Sequence, residues 1–129
     1  MELHEQERRI RTALGLEKGP LPNVGIEWLR KYFQYLAANL SFPFEAQLTE
    51  EIGYYRQPAY SQVKVLALLD PDKNPGQQEY FGLFCMVLKA GQEIDVPLAD
   101  LEVEEKYQNY QLIEDYWYWI WNWRFDPRI

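Results

Sequence analysis

The stretch Asn109–Trp123, NYQLIEDYWYWIWNW, constrains the fold more than any other part of the chain. It carries four of the five tryptophans at alternate positions, Trp117, Trp119, Trp121 and Trp123. Alternation by itself describes a strand, but a strand would put Gln111 and Asp115 on the tryptophan face. At about 100° per residue the stretch sorts better. Leu112, Ile113, Tyr116, Trp117, Trp119, Ile120, Trp121 and Trp123 then share one arc of roughly 200°, and Gln111, Glu114, Asp115, Tyr118 and Asn122 take the remainder. The spacing predicts a helix, with Asn109 as its N-cap and Arg124 in the last turn, where a cation suits the helix dipole. An arc that wide must be closed from at least two sides. Each buried aromatic withdraws about 150–250 Å² from water, so the segment is the largest source of hydrophobic burial in the chain. Core packing outweighs a cofactor-stacking role for these indoles.

The rest of the chain supplies what closes on it. Residues 3–14 (LHEQERRIRTAL) read as a short, weakly amphipathic helix, and the breaker run GLEKGPLP that follows predicts a peripheral piece that docks loosely or packs on a partner. A second helix begins after Asn23, its expected cap, and repeats Ile26, Leu29, Phe33, Leu36 and Leu40 at three- and four-residue spacing. Pro43 disfavours helix at Phe42 and ends it. The period then changes to two. Strands are predicted over 44–52, 61–69 and 80–89, and a turn at Ala90-Gly91-Gln92 leads into a fourth over 93–96. One turn of tight helix occupies 97–101 and a fifth strand follows at 102–103. Gly82 inside the third strand marks a bulge or a close backbone approach. Five short strands with a one-turn break before the fifth are the pattern of a small barrel. The predicted fold is therefore α+β: a small SH3-like antiparallel β-barrel of about five strands, packed against an N-terminal helix and the C-terminal aromatic helix. A chain of 129 residues forms one domain of this kind without disulfide staples.

The net charge of −7 and pI near 4.7 argue against nucleic acid and anionic membrane as partners, because phosphate binding needs clustered Lys and Arg. The one cysteine, Cys85, sits in an apolar run, and the one histidine is His4. That pairing offers neither a reactive thiol with a base nor a Cys/His metal set. A single thiol, a charged N-terminus and the lack of an apolar run long enough to span a bilayer predict a cytoplasmic protein. With no nucleophile beside a base and no phosphate-cradling glycine loop, no enzyme is expected.

Oxygen ligands are another matter. In the segment from Asp70 to Glu79, Asp70, Asp72 and Asn74 alternate along a curved loop, and Glu79 can close the shell from the far strand. Calcium takes six to eight oxygens in tolerant geometry, which suits such a set. The segment departs from an EF-hand: Pro75 stands where glycine is needed, Phe81 stands at the twelfth position, and strands flank it. Asp, Asn, Pro and Gly are equally the residues of an ordinary hairpin turn, and that reading stands beside the ligand reading. A second acidic group comprises Asp95, Asp100, Glu102, Glu104 and Glu105, and a third comprises Glu45, Glu50 and Glu51 on the first strand. Should the first and fifth strands run side by side, these carboxylates repel by about 1 kcal/mol or more each, which a bound cation relieves.

Five ordered blocks carry a resemblance: LSFPFEAQ (40–47), VKVLALLD (63–70), YFGLFCMV (80–87), VPLADLEV (96–103) and NYQLIEDYWYW (109–119). Together they resemble the small acidic cyanobacterial calcium-binding proteins of the CcbP-like family, over roughly residues 24–123, with residues 3–14 outside. The resemblance implies a cytoplasmic protein that binds Ca²⁺ reversibly at carboxylates and buffers or sequesters it. It does not assign ligands position by position. On chemistry alone the expected ligands are Asp70, Asp72, Asn74 and Glu79, with Asp100 and Glu102 second. The alternative is an interaction module without ion binding, holding a protein partner through Tyr54, Tyr55, Tyr60 or Tyr107.

Overall fold

The computed structural model describes residues 2–52, 57–73 and 81–124. Its elements are α1 (Glu2–Leu14), α2 (Ile26–Asn39), β1 (Phe44–Ile52), β2 (Gln57–Leu68), β3 (Phe84–Lys89), β4 (Gln92–Pro97), a 3₁₀ turn (Leu98–Asp100), β5 (Leu101–Glu102) and α3 (Tyr110–Trp123). The tryptophan stretch is thus helical, as its period predicts. None of the described helices is long and apolar enough to cross a membrane.

The strands form one antiparallel sheet in the order β4-β3-β2-β1-β5. Side-chain alternation sets its two faces. Ala46, Leu48, Val63, Val65, Cys85, Val87, Val96 and Leu101 are buried, while Glu45, Gln47, Gln62 and Lys64 point to solvent. The pairing of β2 with β3 shifts between Val65 and Ala67, a bulge that lets one long strand serve β1 with its first part and β3 with its last. β2 starts at Gln57, earlier than its alternation suggests. There it pairs only with β1, the edge setting in which a strand tolerates a proline such as Pro58.

A closed barrel is not what the described strands make. The sheet is open, with β4 and β5 as its edges. β5 is only two residues long and pairs with Gln47 and Leu48 alone, so it offers no ladder on which β4 could close. Helices and the inner face of the sheet share one hydrophobic cluster.

α1 belongs to that cluster and is not peripheral. Ile10 and Leu14 are fully buried and Ala13 nearly so. The loose docking or packing on a partner that the breaker run GLEKGPLP predicts gives way to burial in the core and to a polar contact the spacing does not reveal. Asp115 on α3 is buried, and its carboxylate accepts from Arg9 Nε at 2.7 Å, Arg9 Nη2 at 3.1 Å, Gln6 Nε2 at 3.1 Å and Gln111 Nε2 at 2.8 Å. A buried carboxylate with this many donors is fully satisfied, and it ties the first helix to the last. The Asp115 hydrogen bond, opposed by burial, holds the Arg9 guanidinium pKa above its ordinary value.

Two expected caps are also replaced. α2 is capped at Gly25, with no side-chain cap, and not at Asn23. Asn109 does occupy the N-cap position of α3, but its amide is used elsewhere. It accepts from Ser41 N at 3.1 Å and donates to Ser41 O at 2.8 Å, pairing with the backbone just before β1 as a strand neighbour would. At the other end of α3, Trp119 Nε1 donates to Pro22 O at 3.0 Å and Val24 N to Trp123 O at 2.8 Å, so the Pro-rich connection lies against the helix terminus.

The close backbone approach expected at Gly82 is present, just ahead of β3. Gly82 has φ of 80°, and a Cβ there would run into Tyr116 Oη and come within 2.8 Å of Ile120 Cδ1. The Tyr116 hydroxyl accepts from Leu83 N at 2.7 Å. Left-handed strain of about 1–2 kcal/mol and overpacking of about 1–3 kcal/mol act on the same atom. Gly82→Ala should therefore destabilise the protein by roughly 2–5 kcal/mol, read as a lowered denaturant midpoint with unchanged slope. A shift under about 1 kcal/mol would mean α3 does not rest on this strand entry.

Candidate metal centre

The pairing of β5 with β1 sets Glu102 opposite Gln47, whose partner on the other side is Gln62. These three, with Glu45 two residues along β1, lie on the solvent face of the sheet. Together with Glu104 and Tyr107 they line a cavity of about 310 Å³. Lys106 Nζ stands 3.6 Å from Glu104, an exposed pair that holds little energy. The 3₁₀ turn anchors the next position: Leu98 and Ala99 are buried, and Leu98 N donates to Leu83 O at 2.8 Å, which fixes the backbone at Asp100. Asp100, Glu102 and Glu50 line a second cavity of about 570 Å³ with Thr49, Phe81, Ala99, Trp117 and Trp121. Glu50 is held by Lys89 Nζ at 2.7 Å. Glu102 thus stands between two cavities.

The loop after β2 is a different place. Asp70 Oδ1 accepts from Asp72 N at 2.9 Å and Asp70 O from Lys73 N at 3.1 Å, the bonds of a side-chain-stabilised turn. Asp72 Oδ1 accepts from Arg30 Nε at 2.6 Å, with both side chains about half exposed at 52% and 51%. A cation arriving here competes with a guanidinium. Neither aspartate lines the cavities around Glu102. Asn74 and Glu79 lie outside the described residues, as do Tyr54, Tyr55 and the side chain of Glu51. Of the expected ligands, the structure brings Asp100 and Glu102 together and leaves Asp70 and Asp72 apart from them.

Among the described residues, no three His, Cys, Asp or Glu side chains are grouped closely enough to hold a metal ion as they stand. The donor chemistry nonetheless suits one kind of ion. Carboxylates and amide carbonyls are hard oxygen donors, the preference of calcium or magnesium, whereas thiolate and imidazole are missing from both cavities. Cys85 is fully buried, and burial pushes its thiol well above the ordinary range, which leaves it inert. Gln47, Gln62 and Tyr107 complete the sheet cavity. The amides carry no charge to flag them, and only the strand register places them beside Glu102.

Negative potential around Glu102 is felt by its neighbours. Glu114 on α3 titrates above the usual carboxylate range, first because of partial burial, then because of the charges of Glu102 and Asp115. A carboxyl whose folded pKa is raised adds stability below its unfolded pKa and loses that contribution as pH rises through the folded value. Glu114→Gln should therefore raise the melting temperature at pH 7, and the gain should shrink as pH falls toward about 4. A pH-independent difference between the two proteins would contradict this.

Residues 25–120 match the model of a protein family described as calcium binding, the CcbP family. Among solved structures, the crystal structure of CcbP from Anabaena is similar at 21% identity, covering 91% of this chain and 89% of that one, with a TM-score of 0.66. A calcium binding protein in its calcium-binding form is similar at 20% identity over 91% of this chain and 90% of that one, with a TM-score of 0.67. At these identities the likeness is one of fold. No curated protein sequence matches. The family model spans most of the chain, from the N-cap of α2 into the aromatic helix, and the chain belongs to the CcbP family of calcium-binding proteins.

Proposed function

We propose that this protein binds Ca²⁺ reversibly through the carboxylates along the β1–β5 edge, as a cytoplasmic buffer of modest affinity. Glu102 is the central ligand. Asp100 supports it from the 3₁₀ turn, and Glu45 and Glu104 from the sheet cavity. The Asp70–Asp72 turn, with Asn74 and Glu79, is the weaker second site. The observation that carries this reading is the position of Glu102 on the border of two cavities, each lined in part by further carboxylates, in a chain of a calcium-binding family.

The chemistry is chelation. Four exposed or half-exposed carboxylates repel one another, and a divalent ion drawn between them removes that repulsion. Gln47 and Gln62 carbonyls and water complete the shell. Since the donors are separate before the ion arrives, each glutamate must give up rotamer freedom of up to about 2 kcal/mol to bind. That penalty points to dissociation constants on the order of 10⁻⁵ to 10⁻³ M. Long, mobile glutamates accommodate the irregular shell of calcium more readily than the strict octahedron of magnesium. The role is binding rather than catalysis.

Calorimetric titration with CaCl₂ at physiological salt, with magnesium competing, should give saturable heat. Heat no greater than dilution would remove the proposal. Glu102→Gln should weaken binding about tenfold or more, since a charged ligand contact is worth about 1.5–3 kcal/mol. Changing Asp70 and Asp72 together to Asn should weaken it less than about threefold, and the reverse order would move the principal site to the loop. At a calcium concentration 100 times the dissociation constant, the fold should gain about 2.7 kcal/mol.

A further inference from the structure

α3 turns two of its indoles away from the core. Tyr116, Trp119, Ile113 and Ile120 are buried to within 2% and complete the contact with the rest of the molecule, whereas Trp117 and Trp121 remain 40% and 45% exposed. One helical turn apart, their rings lie 6.0 Å apart at 54°. They form one wall of the 570 Å³ cavity, and Glu50, Asp100 and Glu102 stand on the β1–β5 side of it. Exposed tryptophan is costly to leave in water and common at the centre of binding surfaces. An indole face attracts cations through its quadrupole, and a guanidinium stacks there more readily than an ammonium because it is planar and weakly hydrated. The molecule already makes one such contact: the Arg124 guanidinium lies 4.4 Å from the Trp121 ring centre.

We propose that this groove docks an arginine-bearing segment of a partner protein, its guanidinium groups stacked on Trp117 and Trp121 and hydrogen-bonded to the carboxylates of Asp100 and Glu102. Charge complementarity selects the occupant. Carboxylates facing the indoles repel an anionic peptide or an anionic lipid surface, and planar aromatic walls give a guanidinium more contact than a polyamine. The site requires no calcium, and it uses indoles that the ion-binding proposal does not.

The test titrates the full chain, in the presence of a calcium chelator and about 0.1 M salt, with acetyl-Arg-Gly-Arg-Gly-Arg-amide, its lysine counterpart, spermine and phosphatidylcholine vesicles, following tryptophan emission and heat. The expected result is saturable one-to-one binding of the arginine peptide, at least threefold tighter than the lysine peptide or spermine, with no uptake by vesicles. Trp117→Leu and Trp121→Leu keep apolar bulk on the half-exposed helix face and should each weaken binding fivefold or more, as should Glu102→Gln. Absence of saturable binding would overturn the proposal. So would equal binding of all three cations unaffected by the leucine variants, which is charge attraction alone, or binding to vesicles in preference to peptide.

Discussion

The hydroxyl of Tyr116 holds the two layers in register. It is fully buried and accepts the Leu83 amide at 2.7 Å, and only the bare backbone of Gly82 lets it come so near. A buried polar atom keeps its partner because nothing else is there to replace it. From this one bond a chain of aromatic contacts runs outward. Tyr32 of α2 meets Tyr116 edge-on at 5.2 Å and stacks on Trp119 at 5.3 Å, and Trp119 in turn bonds to the carbonyl of Pro22. Once Tyr116 and Trp119 are placed, the 100° step of the helix leaves Trp117 and Trp121 on the outside.

Much of this was legible because hydrophobic period reports burial directly. β1 spans the nine residues its alternation predicts, and α2 and α3 begin and end within a residue of their patterned stretches. What period cannot report is which polar residue will be buried with its partners. Asp115 falls on the polar arc of α3, yet it is buried because Arg9 and Gln6 arrive from the opposite end of the chain. The same blindness explains α1, whose thin apolar stripe understates its docking. It also explains the outward tryptophans, which the width of the apolar arc assigns to the core. The predicted third strand includes Phe81, Gly82 and Leu83, which lie ahead of β3, because this apolar run gives no sign of the turn that the positive φ of Gly82 makes.

The candidate site was legible as residue types and not as places. Asp70 and Asp72 have the spacing of ligands and the bonding of a turn, because both uses draw on a short side-chain oxygen near the backbone. Glu102 meets Gln47 through the β1–β5 register, which is a long-range property, and Asp100 stands just ahead of it in the 3₁₀ turn. The sheet spaces its donors rigidly at about 4.8 Å between strands, and the flexibility lies in the glutamate side chains. Long side chains on a rigid backbone would let an ion load and unload without refolding.

The proximity of Glu102 to Glu114 has a thermodynamic corollary. Burial first, and then the charge of Glu102, raise the proton affinity of Glu114, so positive charge settling beside Glu102 makes Glu114 a stronger acid. Linkage is reciprocal, and acidification must loosen the grip on any such cation by the same free energy. A cation held at this corner and a proton on Glu114 would therefore oppose each other, so that acid favours the empty site.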